Sequence, residues 1–171
     1  MSEHPAHLDM EPFPWLKWDV DCWTGGEVDL VSGHAGLTVI PPEGSHSLLP
    51  TEAQREAMSY HLEHGAAIRS AVLSALLPYY ESLRPRYASF LGHEAHQLMP
   101  ALQTPLELFP LVDLRQVYLH PWTKDGTGYV GFLYGCTWDQ EHGLGVMLLR
   151  DRVIEIGGAD LSFCFEPPPS S

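Results

Sequence analysis

Cysteine and basic residues are both scarce in this chain of 171 residues, and each scarcity argues against a class of protein. The three cysteines, Cys22, Cys136 and Cys164, are odd in number and show no C-x-x-C spacing. This pattern opposes a disulfide framework or a zinc ribbon, and it favours buried free thiols in a reducing cytoplasm. Only 9 Lys and Arg accompany 22 Asp and Glu, and the net charge of −13 disfavours binding to nucleic acid or to anionic membranes.

Long hydrophobic runs and familiar catalytic motifs are also missing. No stretch of about 18 apolar residues could span a membrane, and residues 1–7 lack the basic and apolar parts of a signal peptide. There is no G-x-S-x-G, and residues 157–160 lack the later glycine of a phosphate loop. His61 and His64, like His93 and His96, are spaced i, i+3 without a second ligand cluster. We therefore expect no metal and no cofactor.

The elements that the pattern predicts follow the order strands, helices, strands. Alternating or β-branched segments predict strands near residues 15–20, 28–31, 37–40, 114–120, 129–136, 146–149 and 153–156. Gly25-Gly26 and Ser32-Gly33 are interpreted as turns, and Arg150-Asp151-Arg152 as a tight hairpin. This order predicts an α+β fold, with an antiparallel sheet packed against two to three helices.

The helical segment has one strong start signal. Thr51 and Gln54 have the spacing of a capping box, which predicts a helix from Glu52 to about His64. A second helix is expected from Ala66 to about residue 81, because apolar residues recur there at helical spacing, and a third short helix is expected over residues 86–92. We expect an extended N-terminal arm over residues 1–14, a single domain over 15–166 and a flexible tail over 167–171.

The densest polar cluster lies between two predicted strands, in residues 136–145. Asp139, Glu141 and His142 could be an acid/base group or metal ligands, but no second cluster complements them. The interpretation we favour is a structural loop in which Asp139 bonds nearby backbone N–H groups and Gly143 and Gly145 adopt positive φ. The residues of this motif loop, structural or functional, are Trp138, Asp139, Glu141, His142, Gly143 and Asp160.

The first 50 residues are acidic and rich in tryptophan. They contain eight acidic residues and one basic residue, a net charge of −7. Aromatic side chains among carboxylates are typical of a protein-binding surface, although a tryptophan core packed on strands is the simpler explanation. The residues predicted to contact a partner are Trp15, Trp18, Asp19, Asp21, Trp23, Glu27 and Asp29.

Two segments resemble a family of uncharacterised bacterial domains. Residues 135–146, which include Trp138-Asp139-Gln140-Glu141-His142-Gly143-Leu144-Gly145, are similar to a W-D-x-E-H-G-L-G motif in that family, and residues 152–160 follow it. The helix start at residues 50–54 and a helix end at Tyr79-Tyr80 are similar too. Some members resemble immunity proteins of bacterial toxin systems in size and character. The resemblance implies a small cytoplasmic protein and assigns no catalytic residue.

These observations favour a non-enzymatic, cytoplasmic protein-binding function. The leading hypothesis is an immunity protein that binds and occludes a cationic toxin, since an acidic surface steers cationic partners. One alternative is a small hydrolase-like or metal-assisted enzyme that uses Asp139, Glu141 and His142. A further alternative is a regulatory or structural domain. The oligomeric state and the binding surface do not follow from the sequence.

Overall fold

A single mixed sheet organises the protein. The computed structural model describes residues 5–44, 49–164 and 166–167. Eight strands of this described part form one sheet whose spatial order follows the chain. They are β1 (His7–Leu8), β2 (Leu16–Asp19), β3 (Cys22–Leu30), β4 (Gly33–Val39), β5 (Val112–Lys124), β6 (Thr127–Cys136), β7 (Leu144–Leu149) and β8 (Arg152–Gly157). All neighbouring strands are antiparallel except β4 and β5, which are parallel.

The helices lie in the connection between the two parallel strands. They are α1 (Glu52–Glu63), α2 (Gly65–Leu91) and the short α3 (Ala95–Leu98). The segments Gly92–Glu94, Pro105–Leu111 and Ala159–Ser162 are 3₁₀ helices. A parallel pair needs a long crossover, and these helices supply it. The predicted α+β class, with a mostly antiparallel sheet and helices packed on it, is confirmed.

The capping box at the start of α1 forms as predicted and also joins the helix to the sheet. The Gln54 backbone N–H donates to Thr51 Oγ1, and the Thr51 N–H donates to Gln54 Oε1. The buried Gln54 amide donates as well to the carbonyls of Ile40, at 2.6 Å, and Leu119, at 3.2 Å. One side chain therefore fixes α1 where the parallel strands end.

Helix α2 is longer than predicted. The expected break after residue 81 and the separate helix over 86–92 are wrong, because α2 runs without interruption to Leu91 through Pro78 and Pro85. Tyr79 and Tyr80 lie inside it and not at a helix end. Proline removes one backbone hydrogen bond, but packing of the helix face outweighs that loss. Tyr80 is fully buried, and its hydroxyl donates to the Pro100 carbonyl at 2.6 Å.

The main core lies between the helices and one face of the sheet, here called the helix face. Its fully buried side chains include Trp23, Leu37 and Phe132 from the strands and Met58 and Leu76 from the helices. Burial of this kind stabilises a domain by about 25 cal/mol per Å² of apolar surface. Among the described residues, no helix is both long enough and apolar enough to cross a membrane.

The opposite face of the sheet, the outer face, is covered only in part. The 3₁₀ helix Ala159–Ser162 lies against Gly131 of β6 and Gly145 of β7, where a β-carbon would collide with its backbone. Gly145 therefore serves close packing, and the positive φ expected for it is not present. His120 Nε2 donates to the Ser162 carbonyl at 2.7 Å and ties this cover to β5.

A β-bulge in β3 replaces the turn predicted at Gly25-Gly26. The register of β3 on β4 shifts by one residue between Gly25 and Val28. The bulge keeps both of these residues on the helix face and turns Glu27 to the outer face, where it is exposed. The two glycines therefore mark a bulge and not a turn. Both features favour glycine, because both need a backbone without a hindering side chain.

The ends of the chain differ from the sequence expectation in one respect. Strand β1 and the buried Phe13 attach part of the predicted N-terminal arm to the sheet and the core. Residues 1–4 of that arm, and residues 168–171 of the predicted tail, lie outside the described residues.

Candidate functional site

The outer face of strands β2 to β4 bears several exposed charged side chains. Leu16 and Trp23 point to the core, so the alternation of a strand places Lys17 and Asp19 on the outer face. The bulge adds Glu27 beside Asp29. Asp19, Asp21, Glu27 and Asp29 are all exposed, as the sequence prediction requires of a partner-binding surface. We call these four residues together with Trp15 the acidic surface.

A histidine lies inside the acidic surface. His34 of β4 is opposite Asp29 of β3, and its two ring nitrogens contact the carboxylates of Asp29 and Glu27. The hydrogen bond to Asp29, then that to Glu27, raises the pKa of His34 above its ordinary value. Protonated His34 offsets part of the negative charge, and the local charge therefore becomes more negative as the pH rises through this pKa.

The three N-terminal tryptophans have different environments. Trp15 is 56% exposed and stacks on His7 with the ring centroids 4.4 Å apart. Trp18 is half-buried and packs edge-on against Trp23 at 5.2 Å. Trp23 is fully buried on the helix face, so its predicted role as a partner contact is wrong. The alternation of β3 places Trp23 on the same face as the buried Leu16, and this leaves Trp15 as the most exposed of the three tryptophans.

The motif loop is built around Asp139. Its carboxylate accepts hydrogen bonds from the Tyr87 hydroxyl at 2.8 Å, from His142 Nδ1 at 2.9 Å and from the His142 backbone N–H at 3.2 Å. Burial by itself raises the pKa of Asp139, but the hydrogen bonds from His142 and Tyr87 outweigh it and lower the pKa. Gly143 closes the turn with a φ of 72° and donates to the Asp139 carbonyl at 3.1 Å.

Residues beside Asp139 extend these contacts to the helical layer. Trp138 packs edge-on against Tyr80 of α2 with centroids 5.1 Å apart, and Thr137 Oγ1 donates to the Leu98 carbonyl at 2.6 Å. Burial raises the pKa of the Cys136 thiol to about 11, so this thiol is protonated at neutral pH. The loop therefore joins the β6–β7 connection to α2 and α3.

Apart from the contacts of His142 with Asp139, the remaining predicted residues of the motif loop do not converge on a site. Glu141 is exposed in the turn, His142 is exposed, and Asp160 is exposed in the 3₁₀ helix Ala159–Ser162. Tyr87 was missed from the sequence, since it precedes Asp139 by 52 positions. Tyr87 continues the apolar face of α2 at helical spacing, and this spacing was the signal available in the sequence.

The histidine pairs occupy separate environments. His61 is buried, and its Nδ1 donates to the Ala57 carbonyl at 2.9 Å, whereas His64 stacks on Tyr60 at 4.0 Å. His93 and His96 are exposed. Over the described ranges 5–44, 49–164 and 166–167, no group of three or more His, Cys, Asp or Glu side chains has the geometry to hold a metal ion.

The fold and these contacts define an α+β domain whose uncovered outer face is acidic and whose β6–β7 loop locks helices to the sheet. A family model described as a domain of unknown function, DUF6985, matches residues 13–163. The chain belongs to this family. No curated protein and no solved structure matches this chain.

Proposed function

We propose that this protein binds a cationic protein partner through its acidic surface. The observation that supports the proposal is that Asp19, Asp21, Glu27 and Asp29 are all exposed beside the accessible ring of Trp15. Such a surface supplies long-range attraction to a basic partner together with an aromatic anchor for the bound state.

The more specific form of the proposal is an immunity protein of the cytoplasm that occludes a cationic bacterial toxin. A basic active site, such as one that binds phosphate, is complementary to the net charge of −13. The bulge at Gly25–Val28 supports this form, because it turns a carboxylate out of the sheet at the cost of regular pairing.

The test is protection from a toxin encoded beside the gene of this chain. Co-expression should restore growth, and Asp19→Lys, Asp21→Lys and Asp29→Lys together should remove that protection while the variant stays folded. Purified proteins should show direct binding by calorimetry. Protection that survives the triple substitution, or the absence of binding to a basic neighbouring product, contradicts the proposal.

The enzyme alternative has its own test. Asp139, Glu141 and His142 would have to act on a substrate, yet the carboxylate of Asp139 is bonded to the His142 backbone N–H of its own turn and to the Tyr87 hydroxyl of α2. If His142→Ala abolished a hydrolytic activity of the purified chain without changing its melting temperature, the enzyme hypothesis would replace the binding hypothesis.

A further inference from the structure

Two neighbouring hairpin turns bring basic side chains together at one end of the sheet. The β5–β6 turn at Asp125-Gly126 and the β7–β8 turn at Arg150-Asp151 lie at the same end, because β6 pairs with β7. Lys124, Arg150 and Arg152 line one open pocket of about 460 Å³ at these turns, here called the basic pocket. They are three of the nine Lys and Arg residues of the chain, so a third of its basic side chains line this pocket.

The charge of the basic pocket is opposite in sign to that of the whole chain. Its lining contains three basic and two acidic side chains, a net charge of +1, whereas the chain carries −13. The two carboxylates are those of Asp125 and Asp151, and Asp125 has the positive φ of an Asp-Gly turn, which favours aspartate at that position. Over the residues that the structure describes, none of the three basic side chains makes an ion pair. They can therefore bind an anion without giving up an ion pair.

Arg150 is held at the pocket by an aromatic ring. Its φ is 53°, a left-handed conformation that glycine or asparagine adopts at less cost, so the turn by itself does not favour arginine here. The guanidinium lies over the ring of Tyr60 of α1, with its Cζ atom 5.5 Å from the ring centroid. Tyr60 in turn stacks on His64 at 4.0 Å. A guanidinium positioned in this way loses less side-chain freedom when a ligand binds.

We propose that the basic pocket binds a small anion that carries a di- or triphosphate group. A guanidinium presents a planar fork of donors that matches phosphate oxygens, and a lysine ammonium adds a point charge. The volume of the pocket lies within the range of about 300–1,000 Å³ that is usual for small-molecule sites. An extended polynucleotide is disfavoured, because the net charge of −13 repels it beyond the pocket. No residue of the acidic surface lines the pocket, so this proposal does not depend on the proposed function.

The experiment is an amide NMR titration of the full chain with inorganic tripolyphosphate, at neutral pH and with a chelator that removes divalent metal ions. The wild-type chain should bind with a Kd of about 1 mM or tighter, and the shifted amides should lie at the two turns. The affinity should fall between about 0.05 and 0.5 M NaCl, because salt screens the attraction.

Variants of the three basic residues test the site itself. Lys124→Gln and Arg152→Gln should each weaken binding about tenfold, since each removes a charged hydrogen bond to phosphate. Arg150→Asn should weaken it to a similar extent. Asparagine suits the positive φ of that position, so a loss of affinity in this variant does not come from damage to the turn.

Arg86→Gln is the matched control, because Arg86 is exposed on α2 outside the pocket and the substitution removes the same charge. This variant should bind tripolyphosphate like the wild type. The absence of saturable shifts at about 10 mM tripolyphosphate overturns the proposal, as do shifts centred away from the two turns. Equal weakening by Arg86→Gln and Arg152→Gln also overturns it, because only the total charge would then matter.

Two further probes identify the source of the phosphate group. Adenosine triphosphate that binds more tightly than tripolyphosphate supports the proposal and assigns the site to a nucleotide. Equal affinity of the two probes supports it as well and assigns the site to the phosphate chain alone. A short single-stranded oligonucleotide that binds more tightly than either probe overturns the proposal, because the ligand would then be an extended polyanion.

Discussion

His61 is a buried imidazole that makes stability depend on pH. Its Nδ1 donates to the Ala57 carbonyl, and its Nε2 has no hydrogen-bond partner among the described residues. Burial lowers its pKa from 6.5 to about 4. The unfolded chain therefore binds a proton more readily than the folded chain, and stability falls as the pH is lowered from about 6.5 towards 4.

We predict that the protonation of His61 lowers the free energy of unfolding by about 2 kcal/mol when the pH is lowered from 7 to 5. Burial also lowers the pKa of His120, which adds a change in the same direction. His61→Leu should reduce the loss of stability measured by urea denaturation at the two pH values. His93→Leu, at an exposed histidine, should not. An unchanged pH response in His61→Leu would show that other groups cause the acid sensitivity.

At the scale of an element, the β2–β3 hairpin contains a residue poorly suited to its backbone. Val20 has a φ of 58° and is 89% exposed in the two-residue turn between Asp19 and Cys22. A β-branched side chain disfavours this left-handed conformation, which asparagine adopts more readily. The turn is thus held by the pairing of its strands and not by local preference.

Val20→Asn should stabilise the protein by about 0.5–1 kcal/mol, measured by chemical denaturation at neutral pH. Asp21→Asn is the matched control, because Asp21 lies in the same turn without a positive φ. It should change stability by less than about 0.5 kcal/mol. A loss of stability in Val20→Asn would show that the valine side chain makes a contribution that outweighs its backbone strain.

The motif loop is a second element with a measurable role. Because the Asp139 carboxylate accepts a hydrogen bond from the Tyr87 hydroxyl, the loop should stabilise the C-terminal half of α2. We predict that Asp139→Ala lowers the melting temperature by about 2–8 °C, since capping and charged hydrogen bonds each contribute about 1–3 kcal/mol.

A double-mutant cycle with Tyr87→Phe separates this contact from other effects of the substitution. The coupling free energy between the two positions should be about 0.5–3 kcal/mol, as is usual for residues in direct contact. Glu141→Ala, an exposed position in the same turn, is the control and should change little. Additive effects of Tyr87→Phe and Asp139→Ala would remove the structural role assigned to the hydrogen bond.

At the scale of the whole molecule, the distribution of charge should govern partner association. Electrostatic steering raises association rates from about 10⁵–10⁶ to about 10⁸–10⁹ M⁻¹s⁻¹ at low salt. Asp19→Lys, Asp21→Lys and Asp29→Lys together should slow association with a cationic partner and flatten its salt dependence, while folding is retained because exposed charges contribute little to stability. Stopped-flow kinetics at several ionic strengths measures this.

The control for that experiment keeps the same net charge. Glu94→Lys, Asp151→Lys and Glu155→Lys together also reverse three exposed acids, but these lie outside the acidic surface. This variant should associate much faster than the first. Equal rates for the two variants would mean that only the total charge matters, and that the acidic surface has no local role.

Much of the local structure was predictable because its causes are local. The capping box of Thr51 and Gln54 involves neighbouring backbone groups, and the tight turn at Arg150-Asp151 joins consecutive strands. The turn at Asp125-Gly126, where φ is 51° and 78°, was not predicted, although Asp-Gly is a favoured dipeptide for a two-residue hairpin. The predicted loop role of Asp139 also depended on residues only three positions away.

Tertiary structure decided the features that join distant parts of the chain. The parallel pairing of β4 with β5, the burial of Trp23 and the bond from Tyr87 to Asp139 each depend on segments separated by many residues. The continuation of α2 through Pro85 likewise rests on packing that outweighs local preference. The sequence by itself determined composition, charge, helix start and the order of elements, because these follow from neighbours. Which face of β3 became core and which became acidic surface followed only from the pairing of the strands, since a one-residue bulge reverses every side chain beyond it.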